Sequence, residues 1–302
     1  MTKSNLILWA ALILILSLAP FINGLPSQHQ DALSVMLILL FGIPHGALDE
    51  HIQLNHSSVG TFKFYTYYLG AIGVNVALWF IIPPLALIFF LLLSAYHFGQ
   101  SQFEGMFRLK FWPKLYFLIW GVAVLSIFLF FNHNEFLSFV LSFDQMYYVE
   151  SLFSELLVTI FFAVSLTVVI SVLLIGLLNK QLDPSRVFSE LLVLLSVCVL
   201  ANVFSFLFGF ALFFIIIHAY GVTLDEFKYL SMHKMKDVWS KVKKFMPLTL
   251  LAFFGLGFLY IMLSMGYLKI DLRLLFLIVI SSITVPHAFV MNLFYKVIGK
   301  SN

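Results

Sequence analysis

The sequence predicts an all-α fold: a polytopic membrane helical bundle of about ten transmembrane helices with both termini in the cytoplasm. Three observations predict it. The chain of 302 residues is 62% hydrophobic and 10% charged, where soluble domains average about 45–50% apolar and about 25% charged. The apolar residues fall in blocks long enough to cross a hydrocarbon core, which takes about 20 helical residues. The basic residues between the blocks sort to one side.

In chain order the expected spans are about 5–23, 31–49, 63–82, 83–100, 113–132, 152–178, 186–202, 203–222, 247–266 and 271–295. The run Asn5–Ile22 lacks a small-residue cleavage site and many spans follow it, so it reads as the first helix and not a removed leader. Pro83 and Pro84 divide the third span from the fourth, because paired prolines deny the backbone its helical bonds. The segment "NKQLDPSR" separates the sixth from the seventh. Asn202 and Ser205 alone divide the seventh from the eighth. The whole chain, 1–302, reads as a single integral membrane domain, with an amphipathic cytoplasmic segment near 224–245.

The charges test this count. With ten spans, Lys3, Lys63, Arg108, Lys110, Lys114, Lys180 and Arg186 share one side. Lys228, Lys234, Lys236, Lys241, Lys243, Lys244, Lys296 and Lys300 join them. Of 17 Lys and Arg residues only Lys269 and Arg273 face the other way. The positive-inside rule then places both termini in the cytoplasm, and the expected location is the cell inner membrane, multi-pass. The single cysteine, Cys198, lies in an apolar run and supports neither a disulfide framework nor a thiolate metal site. No nucleic-acid partner is expected.

Chemistry gathers at histidines. His29, His56, His133 and His233 fall in loops or on the amphipathic segment, where a solvated imidazole needs no special role. His45 in "IPHGALD", His97 in "SAYHFGQSQFE", His218 in "FIIIHAYGV" and His287 in "TVPHAFVMN" lie in apolar surroundings. They occupy the second, fourth, eighth and tenth spans, all running inward, each near the cytoplasmic end. One such histidine is explained as well by a packing hydrogen bond as by function. Four at one depth point to convergence on a single centre. Imidazole suits iron, copper and zinc, and with no cysteine near, non-haem iron fits a nitrogen-only set best.

The surroundings suit such a centre. Asp49 follows His45 by four positions, which places it to hold that imidazole; the plainer reading is that it marks the interfacial end of the span. Gln100 and Gln102 follow His97 similarly. Gly46 and Gly99 permit close approach of a helix or ligand, or are ordinary packing residues. Pro44 and Pro286 each precede a histidine and loosen the helix there.

The motifs "PHGALD", "YHFGQSQ", the histidine of the eighth span and "VPHAF" resemble the Brp/Blh family of membrane β-carotene 15,15'-dioxygenases, over nearly the whole chain in span order. The resemblance implies an Fe(II)-dependent dioxygenase that splits β-carotene, or a related carotenoid, at its central double bond to give retinal. It implies carotenoid taken from the bilayer and O2 as substrates, with a rhodopsin as a candidate recipient of the retinal. By the resemblance His45, His97 and His218 are iron ligands. The family pattern has a further histidine one turn after the last of these, where this chain has Val222; His287 is the residue expected to complete the set. Asp49 and Gln100 are the expected supporting groups around the ligands. A slot for a stiff polyene calls for aromatic walls, for which Phe98, Phe204, Phe206, Phe208, Phe210 and Phe289 are candidates, against the plain fact that phenylalanine is common in any membrane bundle.

Other classes remain open on sequence. A transporter could use intramembrane histidines as a relay, but the polar groups here gather in one half of the bundle. A haem protein would use two axial histidines and leave two unexplained. An accessory membrane protein, or a family member with a degraded metal site, is the reading to which Val222 lends weight. Iron without haem in the purified protein separates the enzyme from these.

Overall fold

The computed structural model describes residues 3–56, 60–104, 113–143, 146–232, 237–267 and 272–298. Arg108, Lys110, His233, Lys234, Lys236, Lys269 and Lys300 lie outside the described residues, as do the side chains of Lys3, His45, His56 and Lys241. Among the described residues every regular element is a helix. In order these are α1 Lys3–Asn23, α2 Ser27–His45, α3 Asp49–His56, α4 Thr61–Ile81, α5 Pro83–Phe103, α6 Pro113–Phe131, α7 His133–Leu141, α8 Val149–Leu152, α9 Glu155–Leu178, α10 Pro184–Val203 and α11 Phe206–Phe213. A π-helical turn, Phe214–Ala219, leads into α12 Tyr220–Met232, followed by α13 Val238–Ser264 and α14 Leu272–Ile298.

Eight runs among the described residues are long and apolar enough to cross a membrane: Ser27–Leu54, Thr61–Ile81, Pro83–Phe103, Lys114–Phe131, Val149–Leu178, Pro184–Val203, Phe206–Ser231 and Arg273–Lys296. The shorter run Trp9–Asn23 covers the first expected span, and α13 covers the ninth. Large apolar side chains such as Phe21, Phe62, Leu156 and Phe254 are more than two-thirds exposed. Such a surface suits lipid and not water.

Prolines set boundaries as their chemistry demands. Ile82 leaves the helix at φ −142° and ψ 74°, and Pro83 opens α5, since the residue before a proline avoids helical torsions. Asp183 is extended at φ −72° and ψ 142°, and Pro184 opens α10. Two boundaries differ from the sequence reading. The second span stops being α-helical at His45 and turns through Gly46–Leu48, so Asp49 begins a new helix. The eighth does not end at 222: the chain stays helical through Gly221 to Met232, so the expected amphipathic segment begins inside α12.

The chain divides into two compact units. The first comprises Met1–Ile38 and Ala95–Gly221; there α6 packs on α9 and α10, and α10 on α11. Within it the end of α5 meets α6 backbone to backbone. A Cβ on Gly99 would lie 2.0 Å from the Phe117 carbonyl oxygen, and one on Gly121 1.8 Å from that of Ala95. Only glycine permits this approach.

The second unit comprises Leu39–Ser94 and Val222–Asn302; there α14 packs on α4 and α3. Asn75 Nδ2 donates to Ser281 Oγ at 3.1 Å and Ser282 Oγ at 3.0 Å, and Trp79 Nε1 donates to Ser281 Oγ at 2.7 Å. Lipid is as apolar as leucine, so side-chain hydrogen bonds of this kind help join α4 to α14.

Candidate functional site

In the first unit, His97 on α5 and His218 in the π-helical turn meet edge to face, ring centroids 4.9 Å apart at 81°. Both are buried. A π turn closes i→i+5 bonds and inserts a residue into the helix, a feature common at functional sites. Phe98 lies 4.6 Å from the His218 ring and Phe214 5.5 Å. Phe213 packs on Phe98 at 5.4 Å, and Phe210 and Phe128 extend the aromatic wall.

Ser101 fixes the state of His218. Its hydroxyl donates to the Phe98 carbonyl at 2.9 Å, so its proton is committed. The same oxygen lies 3.1 Å from His218 Nδ1, and with the hydroxyl hydrogen on the Phe98 carbonyl it is placed to accept an Nδ1–H. Nε2 of the neutral ring then carries the lone pair, the form a metal ligand needs.

Gln100 is buried and donates to Glu104 Oε2 at 3.1 Å. Gln102 reaches the buried Glu190, donating to both carboxylate oxygens at 3.0 and 2.9 Å. Arg186 pairs with Glu190 at 2.8 Å and donates to the Gln102 carbonyl. This charge-assisted knot anchors the end of α5 to α10, just beyond the histidine.

In the second unit, Asp49 and His287 form the central pair. His287 Nδ1–H donates to the two Asp49 oxygens at 2.9 and 3.1 Å, and Tyr68 donates its hydroxyl to Oδ2 at 2.9 Å. An ionised carboxylate only accepts, so Nδ1 carries the hydrogen of this bond, which leaves Nε2 as the nitrogen available to a metal. Asp49 also stands in the first turn of α3, where the helix dipole favours an anion. A Cβ on Gly46 would lie 3.4 Å from His287 Nδ1, so this turn sits close against the imidazole. An open cleft of about 230 Å³ is lined by Phe64, Tyr67, Tyr68, Pro286 and Phe289 among others.

The sequence reading therefore gains and changes. It gave Asp49 to His45; the described partners of Asp49 are His287 and Tyr68, and the side chain of His45 lies outside the described residues. The helix runs on through Gly221, and Val222 is buried among Ala47, Leu48, Met291 and Phe294. Of the aromatic candidates, Phe98 and Phe210 join the wall around His218. Phe204 and Phe208 pack on each other at 5.3 Å, Phe206 packs on Phe136, and Phe289 is 63% exposed at the cleft. Within each unit, among the described residues, no three His, Cys, Asp or Glu side chains come together as a metal-binding group. Ser101, Tyr68, Phe213 and Phe214 went unnoticed in the sequence. Ser101, four residues after His97, carried the one available signal.

A family model described as Beta-carotene 15,15'-dioxygenase matches residues 36–295, a stretch that includes all four intramembrane histidines, Asp49 and Tyr68. A curated relative, "Beta-carotene 15,15'-dioxygenase" of the uncultured marine bacterium 66A03, is 29% identical over 92 residues. That alignment covers 28% of this chain and 33% of the relative, so the chain matches about a third of the relative's length. No solved structure matches. With the match spanning most of the helical bundle and both the His97–His218 and the Asp49–His287 pairs, the chain belongs to the β-carotene 15,15'-dioxygenase family of membrane oxygenases.

Proposed function

We propose that this protein is an Fe(II)-dependent dioxygenase that cleaves the central double bond of β-carotene, or a closely related carotenoid, to two molecules of retinal. The observation that carries the reading is the His97–His218 pair, buried against phenylalanines, with Ser101 holding His218 in the ligating tautomer. The residues fit iron. Imidazole nitrogen suits it, and each described ligand candidate with a resolved Nδ1 partner is oriented from that side, His218 by Ser101 and His287 by Asp49. His45, His97, His218 and His287 are the proposed ligands, the set resting on their common depth in the sequence; Asp49 is the proposed support of His287.

Ferrous iron, when bound, supplies the activation of dioxygen that an alkene alone cannot achieve. Both oxygen atoms go into the two aldehydes as the C=C bond is lost, so no external electrons are needed. The protein's own part is placement and exclusion. Phe98, Phe210, Phe213 and Phe214 make an apolar wall that a rigid polyene can lie against, and that keeps water from the reacting bond. The cleft by Phe289 and Tyr67, both largely exposed on an apolar surface, is suited to receive carotenoid laterally from the bilayer.

Both termini in the cytoplasm, residence in the inner membrane and delivery of retinal to a rhodopsin complete the reading; the distribution of basic residues supports the first. Expression in a β-carotene-producing bacterial host tests the whole. Loss of colour with appearance of retinal is expected; undiminished β-carotene at normal protein levels would reject it.

A further inference from the structure

One buried acid has no part in the account above. Glu226 lies on the face of α12 that also carries Val222 and Tyr229, and it is 0% exposed. Neither of its carboxylate oxygens has a hydrogen-bond partner. The contrast with its neighbour is sharp: Asp225 pairs with Lys228 at 2.9 Å. The helix thus brings a cation to one acid and none to the other.

The face of α12 that carries Glu226 packs against the segments that carry the Asp49–His287 pair. Val222, Tyr229 and Leu230 pack in one cluster with Ala47, Leu48, Met291 and Phe294. Ala47 and Leu48 lead directly into Asp49, and Met291 and Phe294 follow His287 at one- and two-turn spacing along α14. Burial, and with it the charges of both Asp49 and Asp225, bear on the Glu226 carboxyl. Asp49 is occupied as an acceptor from His287 and Tyr68.

Two carboxylates that feel each other in a buried apolar setting repel, and an ionised carboxylate without partners is costly there. A cation nearby reverses both penalties. Iron held by neutral imidazoles would bring two positive charges that the imidazoles leave uncompensated. Asp49 offsets one of them. A second anion would complete neutrality inside the bundle, and among the described residues of this unit Glu226 is the buried acid left without a hydrogen bond.

We propose that Glu226 is the charge-balancing carboxylate of the metal bound at His287, whose imidazole Asp49 supports. This inference rests on the iron reading. It makes Glu226 a positioning residue for the metal, and it predicts opposite effects of neutralising it in the metal-free and metal-loaded protein.

The test uses the full chain in detergent, as wild type, Glu226→Gln and Glu226→Asp. Iron content is measured after dialysis against graded concentrations of a ferrous chelator, and thermal unfolding is followed with and without added Fe(II). Glu226→Gln is expected to release iron at a chelator concentration at least about tenfold lower, the scale seen when groups supporting a metal are removed. Its metal-free form should melt no lower than metal-free wild type, because an unpartnered buried charge has gone. Fe(II) should raise its Tm less than that of wild type, and Glu226→Asp should recover part of the iron retention. Iron retention equal to wild type in Glu226→Gln overturns the inference and leaves the iron reading intact. Equal destabilisation of the metal-free and loaded forms shows a packing role and also overturns it. A wild-type protein that holds no iron and gains no Tm from Fe(II) overturns the iron reading, and this inference with it.

Discussion

Replacing Gly99 with alanine puts the packing of α5 against α6 to a quantitative test. The new Cβ would lie 2.0 Å from the Phe117 carbonyl oxygen, against 3.4 Å for ordinary contact, a deficit of 3.4 − 2.0 = 1.4 Å. The nearest atoms are backbone, so no side chain can rotate away. The two helices must move apart. A gap of about 0.5–1 Å already forfeits a quarter to a half of the dispersion energy between facing atoms. Buried contacts such as Phe103 on Trp120 at 5.7 Å and on Tyr116 at 4.9 Å then loosen together. Overpacking of this kind costs about 3 kcal/mol, the upper end of its usual range. That corresponds to a Tm lower by about 6–12 °C in a protein of this size. Thermal unfolding in detergent measures it. Gly73→Ala is the control: nothing lies within 4 Å of its added Cβ, and loss of glycine's backbone freedom in a helix should leave Tm unchanged or slightly higher. His97 is two residues from Gly99, so iron retention should fall in Gly99→Ala as well. A Gly99→Ala protein that melts within about 1 °C of wild type, far below the shift expected from overpacking, would refute the argument.

Ser101→Ala removes the acceptor of the His218 Nδ1–H; iron affinity should drop by about 10–100-fold in chelator competition, while Ser101→Thr keeps the oxygen and most of the affinity. Val222→His places a polar ring in an apolar cluster and should lower stability by about 2 kcal/mol without raising iron content, read by thermal unfolding and metal analysis side by side. Asn75→Ala breaks two bonds from α4 to α14; each is worth about 0.6–1.7 kcal/mol, and combining it with Ser281→Ala should cost less than the sum of the two changes in a double-mutant cycle.

The fold was largely legible because membrane insertion writes itself into composition. Each expected span falls mostly on helix, and Pro83 and Pro184 stand at helix starts as their missing N–H requires. Boundaries set by tertiary contact were less legible. Asp225, Glu226 and Lys228 fall in the expected amphipathic segment, yet Glu226 and Tyr229 are buried and the helix runs on from the span before them. At the site, the histidines stood out as ionisable residues in apolar runs. Their partners did not. Asp49 sits four residues from His45 in the chain, and local spacing favoured that pairing; its described partner His287 lies 238 residues away. Phenylalanine is too frequent in this chain, at 36 residues, for sequence to separate Phe98 and Phe210 at the histidines from Phe289 on the surface.

The central claim is that histidine-held iron lets this chain cleave β-carotene. The most direct measurement strips the purified protein of metal, reloads it with Fe(II) or Zn(II), and quantifies retinal formed from β-carotene under air. Fe(II) should restore turnover with two retinals for each β-carotene consumed, Zn(II) should restore none, and His218→Ala should remain inactive with either. Retinal formation at the same rate by the metal-free protein, the Zn(II)-loaded protein or His218→Ala would contradict the account.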